Sequence, residues 1–479
     1  MKIRANTELI NSSNLRWHGL TWLGITLGLV CFAFVAIKVL GLAGAFLLLA
    51  LPLGYFTVSY LLKNPKTCVW LVLVLGFLSP GLTRYLPAPW GLSIDILLAL
   101  AWLSIILNKK IRIKWKHAKN PVVWAGVIWM AYLVMEIINP AGNGPIAWFY
   151  AMRGIGFYQF MTFPLVFLLF RKEKDMIRFI DVLIMLSLLG TLWGFKQQII
   201  GIDSAEYRWL YLEDHHEEHI LHGVLRVFSF YSDAGAFGAS QAMMSLMCGI
   251  LLLGPWSKGR KLYFLFATEA FLLGFAISGT RGALAVPLAG GICYLIVIKN
   301  FKVLMAGAGA MIVVFCILKY TFLFQGVEQI RRMRTALDPN NKSLSVRLDN
   351  QKTFGRYLAD KPFGGGVGTA GFWGARFNPE SLMANTATDS WYVKIWAETG
   401  IVGLALHLSI LGFIVGKGGR IAMLLTDPKQ KTYACALIAA ITGVLFASYG
   451  NQVFGQMPTG IIMNMAIPML FLIPKWKQK

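Results

Sequence analysis

The chain is a succession of long apolar runs separated by polar segments, most of which are short. A helix needs about 20 mainly apolar residues to cross the roughly 30 Å hydrocarbon core of a bilayer. The pattern predicts fourteen transmembrane helices, with twelve or thirteen as alternatives, and hence an all-α polytopic integral membrane protein. Residues 1–479 are expected to form one membrane domain. The predicted helices lie at approximately 21–40, 42–62, 67–84, 91–108, 121–138, 155–170, 176–196, 234–254, 262–279, 282–298, 302–320, 398–416, 432–450 and 458–474.

Basic residues in the short loops predict the orientation, because cytoplasmic loops of membrane proteins carry an excess of Lys and Arg. With the N-terminus in the cytoplasm, every short basic loop falls on the cytoplasmic side. Both termini are therefore predicted to be cytoplasmic. The basic loop residues are Lys63, Lys66, Lys109, Lys110, Arg112, Lys114, Lys116, Lys119, Arg171, Lys172, Lys174, Arg178, Lys258, Arg260, Lys261, Lys299, Lys302, Lys417, Arg420, Lys429, Lys431, Lys475, Lys477 and Lys479.

Composition excludes a soluble globular domain, since 57% of the residues are hydrophobic and 14% are charged, against roughly half and a quarter in soluble proteins. The six cysteines all fall inside apolar runs and none has CxxC spacing, which argues against disulfides and a cysteine metal site. The segment from Asp214 to His222 is rich in histidine but lacks HExxH, because Ile220 stands where a second His would be needed. We therefore expect no metal site.

In this topology two long segments, 197–233 and 321–397, lie on the extracytoplasmic side as loops and short amphipathic helices. The second is basic although the orientation rule does not require positive charge there. One interpretation is a surface facing solvent or lipid headgroups. The other is a polyanionic ligand, because Arg can bind two phosphate oxygens at once, and outside the cell a lipid diphosphate is expected rather than nucleic acid. The basic residues are Arg331, Arg332, Arg334, Lys342, Arg347, Lys352, Arg356, Lys361 and Arg376.

Two further arginines stand where polar loops meet predicted helices. Arg281 lies in the turn Ser278-Gly279-Thr280-Arg281-Gly282, between two apolar runs. It either extends to the membrane interface as a structural cation or binds diphosphate, for which the flanking glycines allow close backbone approach. Arg226 precedes the helix predicted from residue 234, on the same side as Arg281. Ser232 or Asp233 can cap that helix whatever the role of Arg226.

A glycine-rich turn and two carboxylates follow in the long loop. Gly364, Gly366 and Gly368 form a turn of the kind that is often simply flexible. Asp389 and Glu398 then precede a predicted membrane helix on the extracytoplasmic side. A carboxylate near cations at that position is a candidate general base or charge partner.

Taken in order, these motifs resemble the O-antigen ligase and polymerase family over residues 220–420. Arg226 with its Phe-Ser-Phe-Tyr-Ser-Asp stretch, the Arg281 turn, Arg347, the Pro362–Gly368 turn and the Asp389–Gly403 block are similar to the family's motifs. One departure is that ligases of the family usually carry His-Asn where this chain has Asp389-Ser390. This difference favours a polysaccharide polymerase or a divergent ligase.

The resemblance implies an architecture similar to the GT-C-like membrane glycosyltransferases, in the bacterial inner membrane, with an active site facing the periplasm or cell exterior. It implies glycan transfer from an undecaprenyl-diphosphate-linked donor to a sugar, lipid or protein acceptor. Arg226, Arg281 and Arg347 would bind the diphosphate, and Asp389 and Glu398 are the catalytic candidates. No metal or other cofactor is expected. The alternatives are a lipid-linked oligosaccharide flippase or other transporter, and a protein O-oligosaccharyltransferase of the same superfamily.

Overall fold

The computed structural model describes residues 38, 42–108, 113–213, 215–221, 223–321, 326, 331, 334 and 342–476. Within them the chain is helical apart from loops and one hairpin of two-residue strands, β1 (Ile220–Leu221) and β2 (Val224–Leu225), which pair antiparallel. The α-helices are α1 Leu42–Lys63, α2 Pro65–Tyr85, α3 Trp90–Leu107, α4 Pro121–Met135, α5 Gly144–Met152, α6 Tyr158–Leu169, α7 Glu173–Ile199, α8 Ser204–Tyr207, α9 His216–His219, α10 Ala234–Leu252, α11 Lys258–Ser278, α12 Ala285–Ile298, α13 Phe301–Tyr320, α14 Lys342–Tyr357, α15 Gly371–Phe377, α16 Leu382–Asn385, α17 Trp391–Leu424, α18 Pro428–Ala447 and α19 Thr459–Leu472.

Short π-helical and 3₁₀-helical segments lie next to several of these α-helices. Five-residue π-helical segments lie at Arg153–Phe157, where α5 runs into α6, and at Arg208–Leu212. The 3₁₀ turns lie at Trp115–His117, Glu136–Ile138, Arg281–Leu284, Val453–Gly455 and Ile473–Lys475.

Ten helical stretches of the described part are long and apolar enough to span a membrane, judged by length and composition. They confirm an all-α, multi-pass membrane protein. The first predicted helix, 21–40, lies outside the described residues except for Lys38. The total of fourteen spans and the orientation stay predictions. The ten stretches are Pro65–Tyr85, Trp90–Leu107, Pro121–Ile138, Gly144–Leu169, Glu173–Ile199, Ala234–Leu252, Lys258–Ser278, Arg281–Ile298, Trp391–Leu424 and Pro428–Ala447.

The centre of the bundle is formed by α10 and α18, whose most apolar stretches are each 83% buried within the protein. Small residues allow this enclosure. A Cβ on Gly290 of α12 would stand 2.5 Å from the carbonyl oxygen of Ala439, and one on Gly443 would stand 2.6 Å from that of Val286. Membrane helices pack closely where such residues let backbones approach. By contrast, only about a third of the most apolar stretch of α11 and of α12 is buried, and the rest of each stretch faces outward.

The two ends of the bundle differ in chemistry. At the basic end, Lys66 pairs with Asp175, and Arg260 Nη2 lies 2.6 Å from Asp181 Oδ1. The opposite end, here called the loop end, carries segments 200–233, 342–390 and 448–458. Segment 200–233 joins α7 to α10, segment 342–390 precedes α17, and segment 448–458 joins α18 to α19. The short turn between α11 and α12, at residues 279–284, lies at the same end.

Helix α17 is longer than the predicted span 398–416, because it begins at Trp391 and continues to Leu424. Gly400 interrupts it with φ 65° and ψ −172°, a backbone conformation that favours glycine. The amide of Val402 donates instead to the carbonyl of Pro362 at 3.2 Å. An outer segment that starts next to Asp389 is thereby joined to the membrane-spanning segment through one glycine.

Candidate functional site

Arg347 and Asp389, both predicted from motifs, lie against each other at the loop end. Arg347 Nε is 3.5 Å from Asp389 Oδ2, and the two side chains are 36% and 43% exposed. The pair joins the middle of α14 to the residue just before the Ser390 cap of α17. An ion pair this open to water leaves both partners accessible to a ligand.

The turn that carries Arg281 lies beside this pair. A Cβ placed on Gly450 would stand 3.9 Å from Gly282 Cα and 4.0 Å from Arg347 Nη1, so Gly450 separates the turn from the ion pair. The turn begins where α11 ends at Gly279 in the left-handed region, with φ 56°. Thr280 Oγ1 then donates to the carbonyl of Ala234 at 2.8 Å. Two independent motifs thus meet in space.

Hydrogen bonds to the end of α18 fix the segment that carries Asp389. The amide of Trp391 donates to the Ser448 carbonyl at 2.9 Å, and Tyr392 Oη donates to the Leu445 carbonyl at 2.7 Å. On the other side of Asp389, Gln452 Nε2 donates to Thr388 Oγ1 at 3.0 Å. Asp389 is therefore held on a defined backbone although its side chain is open to solvent.

Arg226 lies at the end of the hairpin, and its amide donates to the His219 carbonyl at 2.8 Å. The same segment leads to Asp233, which caps α10 by accepting from the Ala236 amide at 2.8 Å. Asp233 also accepts from Gln456 Nε2 at 2.8 Å, in the loop that follows α18. The Arg226 segment is thus tied to the same end of the bundle as the Arg281 turn.

Arg84 is a residue that the sequence analysis missed, and it holds the Arg226 segment in place. Its guanidinium donates to the carbonyls of Ser229, at 2.6 Å, and Tyr231. The guanidinium also lies against the rings of both Trp209 and Phe228, with its carbon 4.2 and 4.5 Å from their centroids. A single Arg at the end of an apolar run carries no sign of such contacts in the sequence.

His219 packs in the same aromatic cluster. Its ring centroid is 5.0 Å from that of Trp209 and 5.1 Å from that of Phe228. Burial lowers the pKa of His219 to about 4, and a hydrogen bond to the His215 carbonyl opposes that shift. His219 is therefore neutral near pH 7 and belongs to the packing of this loop. No group of three potential metal ligands occurs among the described residues, which omit Asp214 and His222.

The glycine-rich turn packs inside the protein. Gly364, Gly366 and Gly368 all have positive φ, and a Cβ on Gly366 would stand 2.6 Å from Gly142 Cα. The amide of Gly365 donates to the Ala397 carbonyl at 2.8 Å. These glycines are needed for close backbone packing between the long loop, α17 and the segment before α5.

Glu398 is fully buried beneath this turn and accepts a hydrogen bond from the amide of Ala370 at 3.4 Å. The structure therefore places the two predicted carboxylates in different surroundings. Asp389 is open to solvent beside two arginine-bearing motifs, whereas Glu398 contacts loop backbone. A catalytic role for Glu398 stays a prediction, and its contacts favour a role in holding the loop.

At the loop end, cationic side chains thus lie beside the accessible carboxylate of Asp389 on a helical frame. Such an arrangement can bind an anionic group and accept a proton from a neighbouring hydroxyl. Fold and site together define a multi-pass membrane protein with a charged site at one end of its bundle. A family model described as O-Antigen ligase matches residues 263–408, which identifies this part of the chain as an O-antigen ligase domain and confirms the family predicted from the motifs. A comparison with curated proteins finds no match.

The matched residues contain Arg281, Arg347, Asp389, Glu398 and the glycine-rich turn. Arg226 and the central helix α18 lie outside the match. The match supports a ligase- or polymerase-type membrane glycan enzyme.

Proposed function

We propose that this protein transfers or polymerises glycan from an undecaprenyl-diphosphate-linked donor onto an acceptor hydroxyl. The observation that carries the proposal is the Arg347–Asp389 pair, 3.5 Å apart and adjacent to the Arg281 turn. One carboxylate and two cationic side chains are the groups that such a transfer requires.

In the proposed step, the acceptor oxygen attacks the anomeric carbon of the donor sugar. The bond between that carbon and the diphosphate oxygen breaks, and the diphosphate leaves with the bonding electron pair. Asp389 takes the proton of the acceptor hydroxyl. Arg281 and Arg347 stabilise the negative charge that grows on the leaving group, and such preorganised donors act most strongly where water is excluded.

The remaining predicted residues support this step. Arg226 adds positive charge from the hairpin segment, which Arg84 fixes to the bundle. Glu398 and the turn at Gly364, Gly366 and Gly368 hold the long loop against α17. Since arginines neutralise the diphosphate, the reaction proceeds without a metal ion or other cofactor.

We further propose that the loop end faces the periplasm or cell exterior and that the protein resides in the bacterial inner membrane. The basic residues at the opposite end, including Lys66 and Arg260, support this orientation. It brings the site to the side where lipid-linked glycans are joined to sugar, lipid or protein acceptors.

The test is transfer of a labelled glycan from a polyprenyl diphosphate carrier by the protein in proteoliposomes. We expect Asp389→Asn to retain donor binding but to lose transfer, because an amide cannot accept the acceptor proton. Asp360→Asn is the matched control, since Asp360 lies in the same loop with its side chain 82% exposed. Full transfer by Asp389→Asn would exclude it as the base. Movement of the intact donor across the bilayer without any transfer would instead support a flippase.

A further inference from the structure

An aromatic patch at the loop end has no part in the site described above. It consists of Phe149 and Tyr150 of α5 and Phe372, Trp373 and Phe377 of α15, with Arg376 among them. The rings of Tyr150 and Trp373 stack with centroids 5.0 Å apart and an interplanar angle of 22°. Tyr150 also stacks on Phe377 at 6.1 Å. The two short helices thereby form one surface.

The outward edge of the aromatic patch is apolar. Phe372 is 72% exposed, and Phe149 and Ile146 are also exposed. None of these three side chains carries a hydrogen-bonding atom. A sugar-binding surface would require polar partners next to its rings, whereas Phe372, Phe149 and Ile146 offer only hydrocarbon and aromatic carbon.

The apolar surface continues onto a membrane-spanning segment. Ile138, at the end of the span Pro121–Ile138, is 82% exposed, and Met135 one turn earlier is exposed as well. The chain then turns through Gly142 into α5. The patch therefore follows directly from a surface that faces lipid.

Positive charge lies at the rim of the patch. The guanidinium carbon of Arg376 is 5.6 to 5.9 Å from the ring centroids of Tyr150, Trp373 and Phe377, and Arg376 itself is exposed. Aromatic rings with a cation at their edge suit the membrane interface, where rings reach the acyl boundary and cations meet lipid phosphate.

We propose that the aromatic patch inserts into the lipid interface at the loop end of the bundle and anchors the long loop there. Phe372 and Phe149 enter the acyl boundary, and Arg376 binds lipid phosphate. This proposal does not depend on the glycan-transfer reaction.

The anchor is connected to the rest of the loop by backbone packing. A Cβ on Gly368 would stand 2.7 Å from the Ala147 carbonyl oxygen of α5, and Asn143 Nδ2 donates to the Gly368 carbonyl at 3.3 Å. Ala370, just before α15, binds Glu398. The depth of the patch in the interface thus sets the height of the loop above the membrane.

The test places single spin labels on a variant in which the native cysteines are replaced by Ala, reconstituted in nanodiscs. Labels at Phe372→Cys and Phe149→Cys are compared with Glu380→Cys, an exposed position after α15, and Ile128→Cys, a lipid-facing position of α4 that is 52% exposed. Collisions with oxygen report lipid, and collisions with a water-soluble nickel chelate report water. The measured quantity is the ratio of oxygen collisions to nickel-chelate collisions. We expect this ratio at Phe372 and Phe149 to lie between the ratios of the two controls, at least threefold above that of Glu380.

A ratio at Phe372 equal to that at Glu380 would place the patch in water and overturn the anchor. Exclusion of both quenchers would mean that protein covers it, which also contradicts the proposal. The cation is tested separately with Arg376→Glu. We expect this change to shift the Phe372 label toward water in phosphatidylglycerol nanodiscs and less so in phosphatidylcholine. An unchanged ratio in phosphatidylglycerol would remove lipid phosphate as the partner of Arg376.

Discussion

Replacing Arg347 by Ala separates the contribution of the Arg347–Asp389 pair to folding from its contribution to transfer. In the folded enzyme the charges lie 3.5 Å apart, and both side chains are more than a third exposed. At a dielectric close to that of water, this separation gives about 1 kcal/mol, and exposed pairs measured by double-mutant cycles contribute roughly 0–1 kcal/mol. The free energy of unfolding should therefore change little when Arg347 is replaced.

The expected effect on the reaction is larger. If Arg347 stabilises charge that develops on the leaving diphosphate, its loss should resemble the removal of one preorganised donor, about 2.7–4 kcal/mol or a 10²–10³-fold lower turnover. Arg347→Lys should restore only part of the rate, because an ammonium keeps the charge but lacks the planar fork.

The assay measures initial rates of labelled-glycan transfer in proteoliposomes alongside the thermal unfolding midpoint of the same samples. Lys352→Ala is the control on the same helix, since Lys352 pairs with Asp349 at 2.9 Å with both side chains about two-thirds exposed. We expect it to change neither quantity. A rate for Arg347→Ala within threefold of wild type would refute the role of Arg347, as would a rate loss explained by an equal loss of folded protein.

Three further outcomes are expected. Gly366→Ala should lower the unfolding midpoint by several degrees, because φ is 91° and a Cβ would meet Gly142 at 2.6 Å. Gly412→Ala should leave the midpoint unchanged, because there is open space around its Cβ position. Equal midpoints for the two variants would contradict the packing of Gly366 against Gly142. Lowering the pH from about 6.5 to 4 should destabilise the protein partly through His219, because the unfolded chain binds a proton that the buried ring, with a pKa of about 4, does not. His219→Gln should therefore flatten the plot of unfolding midpoint against pH over that window. An unchanged slope would contradict the burial of a neutral His219. Finally, EDTA should leave transfer intact, and turnover restored only by a divalent ion would show that arginines alone do not neutralise the diphosphate.

Much of the helical framework could be predicted from hydropathy, because the bilayer sets the length of each span. The predicted run 176–196, for example, lies within Glu173–Ile199, and 121–138 coincides with Pro121–Ile138. The run 155–170 was too short, since α5 and a π-helical segment extend it back to Gly144. Such extensions depend on tertiary packing against α15, which hydropathy does not report.

The candidate site shows a similar division. Motifs indicated Arg347 and Asp389 separately, but their contact depends on how α14 crosses the start of α17. Arg84 could not be recognised, because its aromatic and carbonyl partners come from segments more than a hundred residues later in the chain. The different surroundings of Asp389 and Glu398 likewise follow from the packing of the glycine-rich turn over Glu398, which the motif alone does not specify.

The enclosed position of α18 has a consequence for biosynthesis. This helix leaves the ribosome well after α10 and α12, yet it fills the centre of the bundle against both of them. Until residues 428–447 emerge, the inner faces of those earlier helices lack their native neighbour. A nascent chain stopped before Pro428 therefore exposes unpaired helix surfaces within the membrane, where membrane proteases and insertion chaperones act.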